Sequence, residues 1–563
     1  MKQIRFPWID GGVLLCIVAV SVALMVGTLS GTSDGGIAIA SKAWSDFGAH
    51  IPLVRSFSLG SNFPPVSPLF PGEKIRYHFL FYAIAGLLER IGIPLDWAIN
   101  IPSILGMILF LSGLYVLGKL LFGNRRVGIL AIIFVLLNGS LSFVNFFASH
   151  PLGTSTLPDI ISNSRFPSFG PWDNQEISAF WSLNIFTNQR HLALSYGIIL
   201  WALWFVFTLP DNISRKKIFG MSLFLSVLVG LSLLLNQAAA LILVVWFIWI
   251  FAVYPKKRLL CLFTGVLSLP WVVLYLSFIA PSGLPVWEPG YLAHSLAPRI
   301  FFPYWWKNLG LHLVLIPLGI LFAPAKAKKA LSVPLLLLFV IPNLIRFSPD
   351  MINNHKFFNF YLAMGSFGTG WILFGFQKTL RQLFSRIHSR ILAIVLRGSG
   401  LIIIGIVCVF LTLSGIIDFF PIINDGKYTI ESQKTNPDIA AYLRLVPPQA
   451  IVLNSTFFTN PASLAGRPIY FGYPYFTWSY GYITQPREQL YLAMWRAQNK
   501  ETACRLARLA HVDFAELSPQ PEQYLQPNTF LWNTEFTRIY TNEKTGYTIF
   551  DITKSCSNTA LYQ

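Results

Sequence analysis

Two short segments of this chain carry side chains suited to proton transfer and phosphate chemistry. In Trp44-Ser45-Asp46-Phe47-Gly48-Ala49-His50 a carboxylate and an imidazole stand four residues apart, which on a helix puts Asp46 and His50 on one face. Such a carboxylate can deprotonate an acceptor hydroxyl, or with His50 help hold a divalent cation such as Mg or Mn. The plainer reading of Asp46 is a capping or solvated carboxylate. The second segment is Asp350-Met351-Ile352-Asn353-Asn354-His355-Lys356. Its Lys356 and His355 can neutralise a lipid-linked phosphate, while the plainer reading of Lys356 is a side chain snorkelling to an interface. Asp350 is next in line as a base, and Asn354 is a further site candidate.

Other polar groups are less sharply defined. Asn188-Gln189-Arg190-His191 offers two more cationic donors, Arg190 and His191, with interfacial anchoring as the alternative. Asn236-Gln237 interrupts an apolar stretch, where a simple polar turn explains it best. Arg76 and His78 join the site candidates at the start of the apolar segment Tyr77 to Gly92. Gly365, Gly368 and Gly370 lie within an apolar span, so close helix packing fits them better than a phosphate loop. The chain has no Walker A motif, no strand-linked GxGxxG and no CxxC pair, which weighs against ATP hydrolysis and a nucleotide-binding Rossmann domain.

These groups must be positioned by apolar elements. Of 563 residues, 54% are hydrophobic and 12% charged, and the mean hydropathy is +0.56; this is the composition of a polytopic membrane protein. The net charge of +18 does not imply nucleic acid, because the positive residues flank apolar spans as the positive-inside rule requires. About eleven spans are expected from hydropathy, near 11–30, 99–122, 127–148, 192–210, 218–236, 238–255, 259–280, 309–323, 331–346, 357–377 and 399–420. The run 11–30 is read as a retained first helix rather than a cleaved signal. Placing Lys2, Arg5 and the clusters Asn124 to Arg126, Arg215 to Lys217, Lys256 to Arg258, Lys326 to Lys329 and Lys378 to Arg390 in the cytoplasm orients the N-terminus inside. Asp46, Arg190 and Lys356 then share the outer face. Tyr77 to Gly92 is too short and too charged to span and is expected to lie at that face, within a first external loop of 31–98.

The expected fold class is an α-helical polytopic membrane protein with a small extracytoplasmic α/β domain, divided as 1–423 and 424–563. In the second part, Pro437 to Leu445, Gln485 to Trp495 and Glu501 to Ala510 read as helices. Ala450 to Leu453 reads as a strand, and Phe536 to Tyr540 with Tyr547 to Ile552 as a hairpin. Cys16, Cys261 and Cys408 lie in spans as packing residues. Cys504 and Cys556 are free to pair if that domain is outside.

A long first external loop with an early Asp, a surface helix and an outer C-terminal domain resembles the GT-C superfamily of integral-membrane glycosyltransferases. Its relatives include protein O-mannosyltransferases and aminoarabinose transferases. The nearer resemblance is to a poorly characterised prokaryotic branch, on Asn62-Phe63-Pro64-Pro65, Tyr77-His78-Phe79-Leu80, Asn354-His355-Lys356-Phe357-Phe358 and Gly466-Arg467-Pro468-Ile469-Tyr470-Phe471-Gly472-Tyr473. The resemblance implies a polyprenyl-phosphate sugar donor, a lipid, glycan or protein acceptor, and a multi-pass location in the plasma (inner) membrane. It implies inverting displacement with Asp46 as base and Lys356, with Arg190, at the donor phosphate. Arg467, Tyr473 and Trp478 become acceptor-binding candidates, since aromatic faces suit sugars. The chain departs from the family pattern in having Phe47 where many relatives carry a second acid, and Phe63-Pro64-Pro65 where they have His-Pro-Pro; His50 is then the candidate second ligand for any metal. The rival readings are a transporter or flippase of a lipid-linked glycan and an assembly scaffold. A transporter should carry mid-span charges, which are nearly absent, and a scaffold leaves Asp46, Arg190 and Lys356 unexplained.

Overall fold

The computed structural model describes residues 8–210, 213–385 and 390–557; Lys2, Arg5 and Arg386 of the basic clusters lie outside them. Among the described residues, five helices are long and apolar enough to cross a membrane: Trp8–Thr28, Leu95–Phe122, His191–Thr208, Arg215–Leu235 and Pro255–Phe278. The pair Ser399–Phe410 and Leu413–Asn424 makes a sixth, bent by 40°. Of the other expected spans, 357–377 lies within the 31-residue helix His355–Ser385, and the rest are helical but shorter or interrupted. Gln237–Val253 has 17 residues, His312–Leu321 has 10 and Ala325–Val340 has 16. The segment 127–148 is not one helix: Arg125–Leu136 ends and Ser142–Ser149 begins on either side of Asn138-Gly139-Ser140. There the Asn138 carboxamide accepts from Ser140 N at 3.0 Å, a local turn that competes with helix.

Small residues let the helices touch. A Cβ on Gly106 would lie 2.7 Å from Leu194 N, and one on Gly319 would lie 2.0 Å from Gly368 O. Gly365 lies against Ile316 in the same way, so these glycines set helix contacts, as expected. Tyr77 to Gly92 contains only the 11-residue helix Leu80–Arg90. It is pinned to helix Trp44–Ser58 by the Arg55–Glu89 ion pair at 2.7 Å, whose side chains are each about 10% exposed.

A three-stranded antiparallel ribbon, Leu29–Gly31, Ile37–Ala40 and Lys427–Ile430, joins the start of the first loop to the chain beyond the last bent helix. Ile37 pairs with Ile430 and Ala40 with Lys427, so the strand just past 423 belongs structurally with the first loop. The C-terminal part has a mixed four-stranded sheet in the order Val452–Leu453, Phe514–Leu517, Thr548–Asp551, Thr537–Thr541. Its first pair is parallel and the rest antiparallel. Helices Pro437–Leu445, Thr484–Trp495 and Lys500–Leu509 form where the 3.6-residue pattern places them. Cys504 and Cys556 are joined in a disulfide.

Candidate active site

Helix Trp44–Ser58 begins after strand Ile37–Ala40 and carries Asp46 in its first turn, where the helix dipole favours a carboxylate. Phe47, His50, Ile51 and Val54 turn into the core, leaving Asp46 half-buried. Gly48 admits the ring of Phe458, whose Cδ1 is 2.5 Å from where a Cβ would stand. The C-terminal part is thereby laid directly over the first-loop helix.

Opposite, helix His355–Ser385 presents Lys356 in its first turn, directly after the short turn Met351–Asn354. Asp350 caps that turn by accepting from Ile352 N at 3.1 Å, and its other oxygen accepts from the Tyr475 hydroxyl at 2.6 Å. Asn354 donates to Pro342 O and Ile345 O at 2.9 and 2.7 Å. Both side chains therefore hold the loop. Tyr196 donates its hydroxyl to the Lys356 carbonyl.

Between the two lies a cavity of about 610 Å³, within the size range of small-molecule sites. Asp46, His50, Arg76, His78, Asn236 and Gln237 wall it, together with Asn354, His355, Lys356 and Tyr473. Three cations reach it: Lys42, Arg76 and Lys356. Lys42 pairs with Asp425 at 2.9 Å and Arg76 with Glu73 at 3.3 Å. Lys356 has no carboxylate at ion-pair distance among the described residues. Its charge is nevertheless felt by Asp46.

Burial pushes the Asp46 carboxyl up to about 6, against the opposing pull of the Lys356 charge and a hydrogen bond from Gln189. A carboxylate with that affinity for a proton is a better base than an exposed one. Burial, reinforced by the Lys356 and Arg190 charges, pushes His50 down to about 3, and His78 falls well below its ordinary value for the same chief reason. Both imidazoles are neutral near neutral pH.

Several expected site residues lie elsewhere. Arg190 does not line the cavity. It is 2% exposed and its guanidinium donates to Asn100 Oδ1 at 2.6 Å, Thr28 Oγ1 at 2.8 Å, and the carbonyls of Met25 and Thr187 at 3.1 Å. It ties the first and second long helices to its own, rather than waiting for phosphate. His191 is fully buried with Nδ1 3.0 Å from the Tyr82 hydroxyl. Arg467 is buried on the Val446, Ala465 and Leu59 carbonyls, and Trp478 is not a cavity wall. The residues sequence reasoning missed sit beside those it named. In Asn188-Gln189-Arg190-His191 it is Asn188 and Gln189 that reach the cavity, because the break between helices Asn184–Asn188 and His191–Thr208 turns them there.

His355 also departs from expectation. Asn359 Nδ2 donates to Phe180 O at 2.9 Å, which leaves Asn359 Oδ1 facing His355 Nδ1 at 2.7 Å. Nδ1 must then carry the proton and Nε2 a lone pair. His355 presents an acceptor, not the imidazolium that would suit phosphate.

The donor set does not fit a protein-held Mg or Mn. Among the described residues no group of three or more His, Cys, Asp or Glu side chains is arranged around a metal position. Such ions need several oxygen ligands, and Lys356 already answers the Asp46 charge.

No protein-family model matches the chain, and no curated protein matches it. Among solved structures it is similar to ArnT from Cupriavidus metallidurans in the apo state, with 12% identity and a TM-score of 0.49 over 97% of this chain and 99% of that one. The same protein bound to undecaprenyl phosphate gives 11% and 0.47, over 99% of each chain. The archaeal oligosaccharyltransferase AglB from Archaeoglobus fulgidus, in complex with an inhibitory peptide and a dolichol-phosphate, gives 12% and 0.46, over 99% of this chain and 76% of that one. Likeness at this level transfers no residue roles.

Proposed function

We propose that this protein is an integral-membrane glycosyltransferase. In this reading it moves a sugar from a polyprenyl-phosphate donor to an acceptor hydroxyl at the outer membrane face, with inversion. One observation carries the reading: a proton-seeking carboxylate, Asp46, and a cation without an ion-pair partner, Lys356, wall the same cavity. Asp46 takes the proton of the acceptor hydroxyl as its oxygen bonds to the anomeric carbon. The bond from that carbon to the phosphate oxygen breaks, its electron pair leaves on the phosphate, and Lys356 neutralises the charge. Aromatic walls, including Trp44, Trp172, Phe458 and Tyr475, supply apolar faces for a sugar. The positive-inside reading keeps eleven crossings, with the shorter helices as bent or partial ones. It puts the C-terminal part outside, where the Cys504–Cys556 disulfide forms readily. Any divalent cation would then reach the site with substrate oxygens.

The test is release of polyprenyl phosphate by purified protein from a panel of polyprenyl-phosphate sugars, with wild type and Asp46→Asn side by side. Loss of a general base lowers turnover by roughly 10²–10⁴-fold, and that drop in a folded variant is the expected result. Equal turnover in both would move the base elsewhere, Asp350 first. Saturable binding without turnover for every donor would favour a flippase. That second reading has one observation behind it: Asp418 is buried in the bent helix pair, accepting from Asn138 Nδ2 at 3.3 Å and from the Ser142 hydroxyl.

A further inference from the structure

One rim of the cavity is built from apolar side chains that lie open. The segment after helix Pro255–Phe278 pairs Val286–Trp287 with Ile345–Arg346, just past the end of helix Ala325–Val340. Helix Gln237–Val253 touches both of those helices, and its first turns wall the cavity with Gln237, Ala238 and Leu241. Along its outer side runs an exposed apolar stripe at helical spacing, Leu241, Val244, Ile248 and Phe251. The segment that crosses from one neighbouring helix to the other continues the stripe. Leu284 is 85% exposed, Trp287 is 66% exposed and Val286 is open as well. Pro285 walls the same cavity as Leu241.

The C-terminal part adds to this rim. A Cβ on Gly481 would collide with Ser282 O, and the Arg76 guanidinium donates to both Pro281 O and Gly481 O at 3.1 Å. The two backbones are thus held together. Two residues beyond each side of the contact stand Leu284 and Ile483, the latter 74% exposed, and Trp478 is open nearby in sequence. Lys74 donates to Leu276 O at 3.2 Å, which puts an exposed ammonium at the end of helix Pro255–Phe278. Exposed apolar patches of this extent mark protein or membrane contacts. This one is continuous with an apolar helix face and carries Trp and a cation at its edge, the residue types that gather at a bilayer interface.

We propose that Leu284, Val286, Trp287, Trp478 and Ile483 form a lip that dips into the bilayer leaflet on that side. The lip seats the C-terminal part on the membrane, and the cavity mouth beside Leu241 and Pro285 opens at lipid depth rather than into bulk water. The partner is the lipid surface itself, and the proposal holds whatever group the site transfers.

The test places a nitroxide on single cysteines of the full-length protein in nanodiscs of phosphatidylcholine and phosphatidylglycerol. The background carries Cys16→Ala, Cys261→Ala and Cys408→Ala, while Cys504 and Cys556 stay joined. Collisions of the label with oxygen, which concentrates in lipid, are compared with collisions with a water-soluble nickel chelate. Leu284→Cys and Ile483→Cys report on the lip. Ile248→Cys, on the stripe, gives the lipid reading, and Leu509→Cys, exposed on the charged helix Lys500–Leu509, gives the aqueous one. All four positions are exposed, so the labels displace no buried contact. The oxygen-to-nickel ratio at Leu284 and Ile483 is expected to lie several-fold above that at Leu509, toward that at Ile248. A ratio matching Leu509 at either lip position overturns the proposal. So does shielding from both agents, which would mean that a second copy of this chain, rather than lipid, covers the lip.

Discussion

At the scale of single residues, the site is a matter of which charges are already answered. Arg190 is answered by two carbonyls, an amide and a hydroxyl; Lys356 has no carboxylate at ion-pair distance among the described residues and feels the Asp46 charge only across the cavity. Arg190→Met should therefore act on stability, leaving buried acceptors without donors at a cost of about 2–4 kcal/mol, read as a lowered midpoint in detergent. Lys356→Met should instead leave the melting midpoint nearly unchanged and lower turnover by roughly 10²-fold or more. Reversal of those two outcomes would exchange their roles. Asp46 gives a pH prediction whose sign follows from its raised proton affinity, about 6. A base works only when deprotonated, so kcat/KM should fall as pH drops through about 6 rather than near 4. Asp46→Glu, if active, should keep an acid limb that Asp46→Asn lacks. A limb near 4 in wild type would mean that the carboxylate is not buried in the working enzyme.

Helices and strands show what was legible in sequence and what was not. The C-terminal helices and hairpin were readable because local periodicity and turn residues decide them. The long apolar runs were readable for the same reason. The interruption at Asn138-Gly139-Ser140 was not, because the hydropathy of 127–148 is continuous while the backbone is set by one side-chain cap and by contact with His312, whose Cδ2 is 3.0 Å from where a Gly139 Cβ would stand. The acidic–basic pair of the cavity was legible as residue types on one face. The uses of Arg190 and His355 were not, since they depend on partners far away in sequence, Thr28, Asn100 and Phe180. Helix contacts make a sharp prediction. Gly319→Val would drive a side chain onto the Gly368 carbonyl and should destabilise by about 1–3 kcal/mol or more, seen as a lower midpoint and reduced yield. Gly375→Ala, with open space around its Cβ position, should be silent in the same assay.

For the whole molecule, the question is why the C-terminal part is needed at a site otherwise built by apolar helices and the loops that join them. It closes the cavity with Phe458, Tyr473, Tyr475 and Tyr480. It also grips both halves of the site. Phe458 lies in the notch of Gly48 on the helix that carries Asp46, and the Tyr475 hydroxyl donates to Asp350, which caps the turn leading into the helix that carries Lys356. The ribbon pairing Ile37–Ala40 with Lys427–Ile430 anchors this arrangement at its base. The Tyr475–Asp350 bond should thus act on catalysis through geometry, although neither residue needs to touch the reacting atoms. Tyr475→Phe removes one hydroxyl from a charge-assisted bond worth roughly 1.5–3 kcal/mol and should lower turnover about tenfold with Asp46 and Lys356 intact, since small misplacements of a binding group are costly in rate. Asp350→Asn should lower it by a similar factor, and the double variant by little more than either single one, because both break the same contact. Multiplying losses in the double variant would show that the two side chains act separately, and Asp350 would then return as a candidate base in its own right.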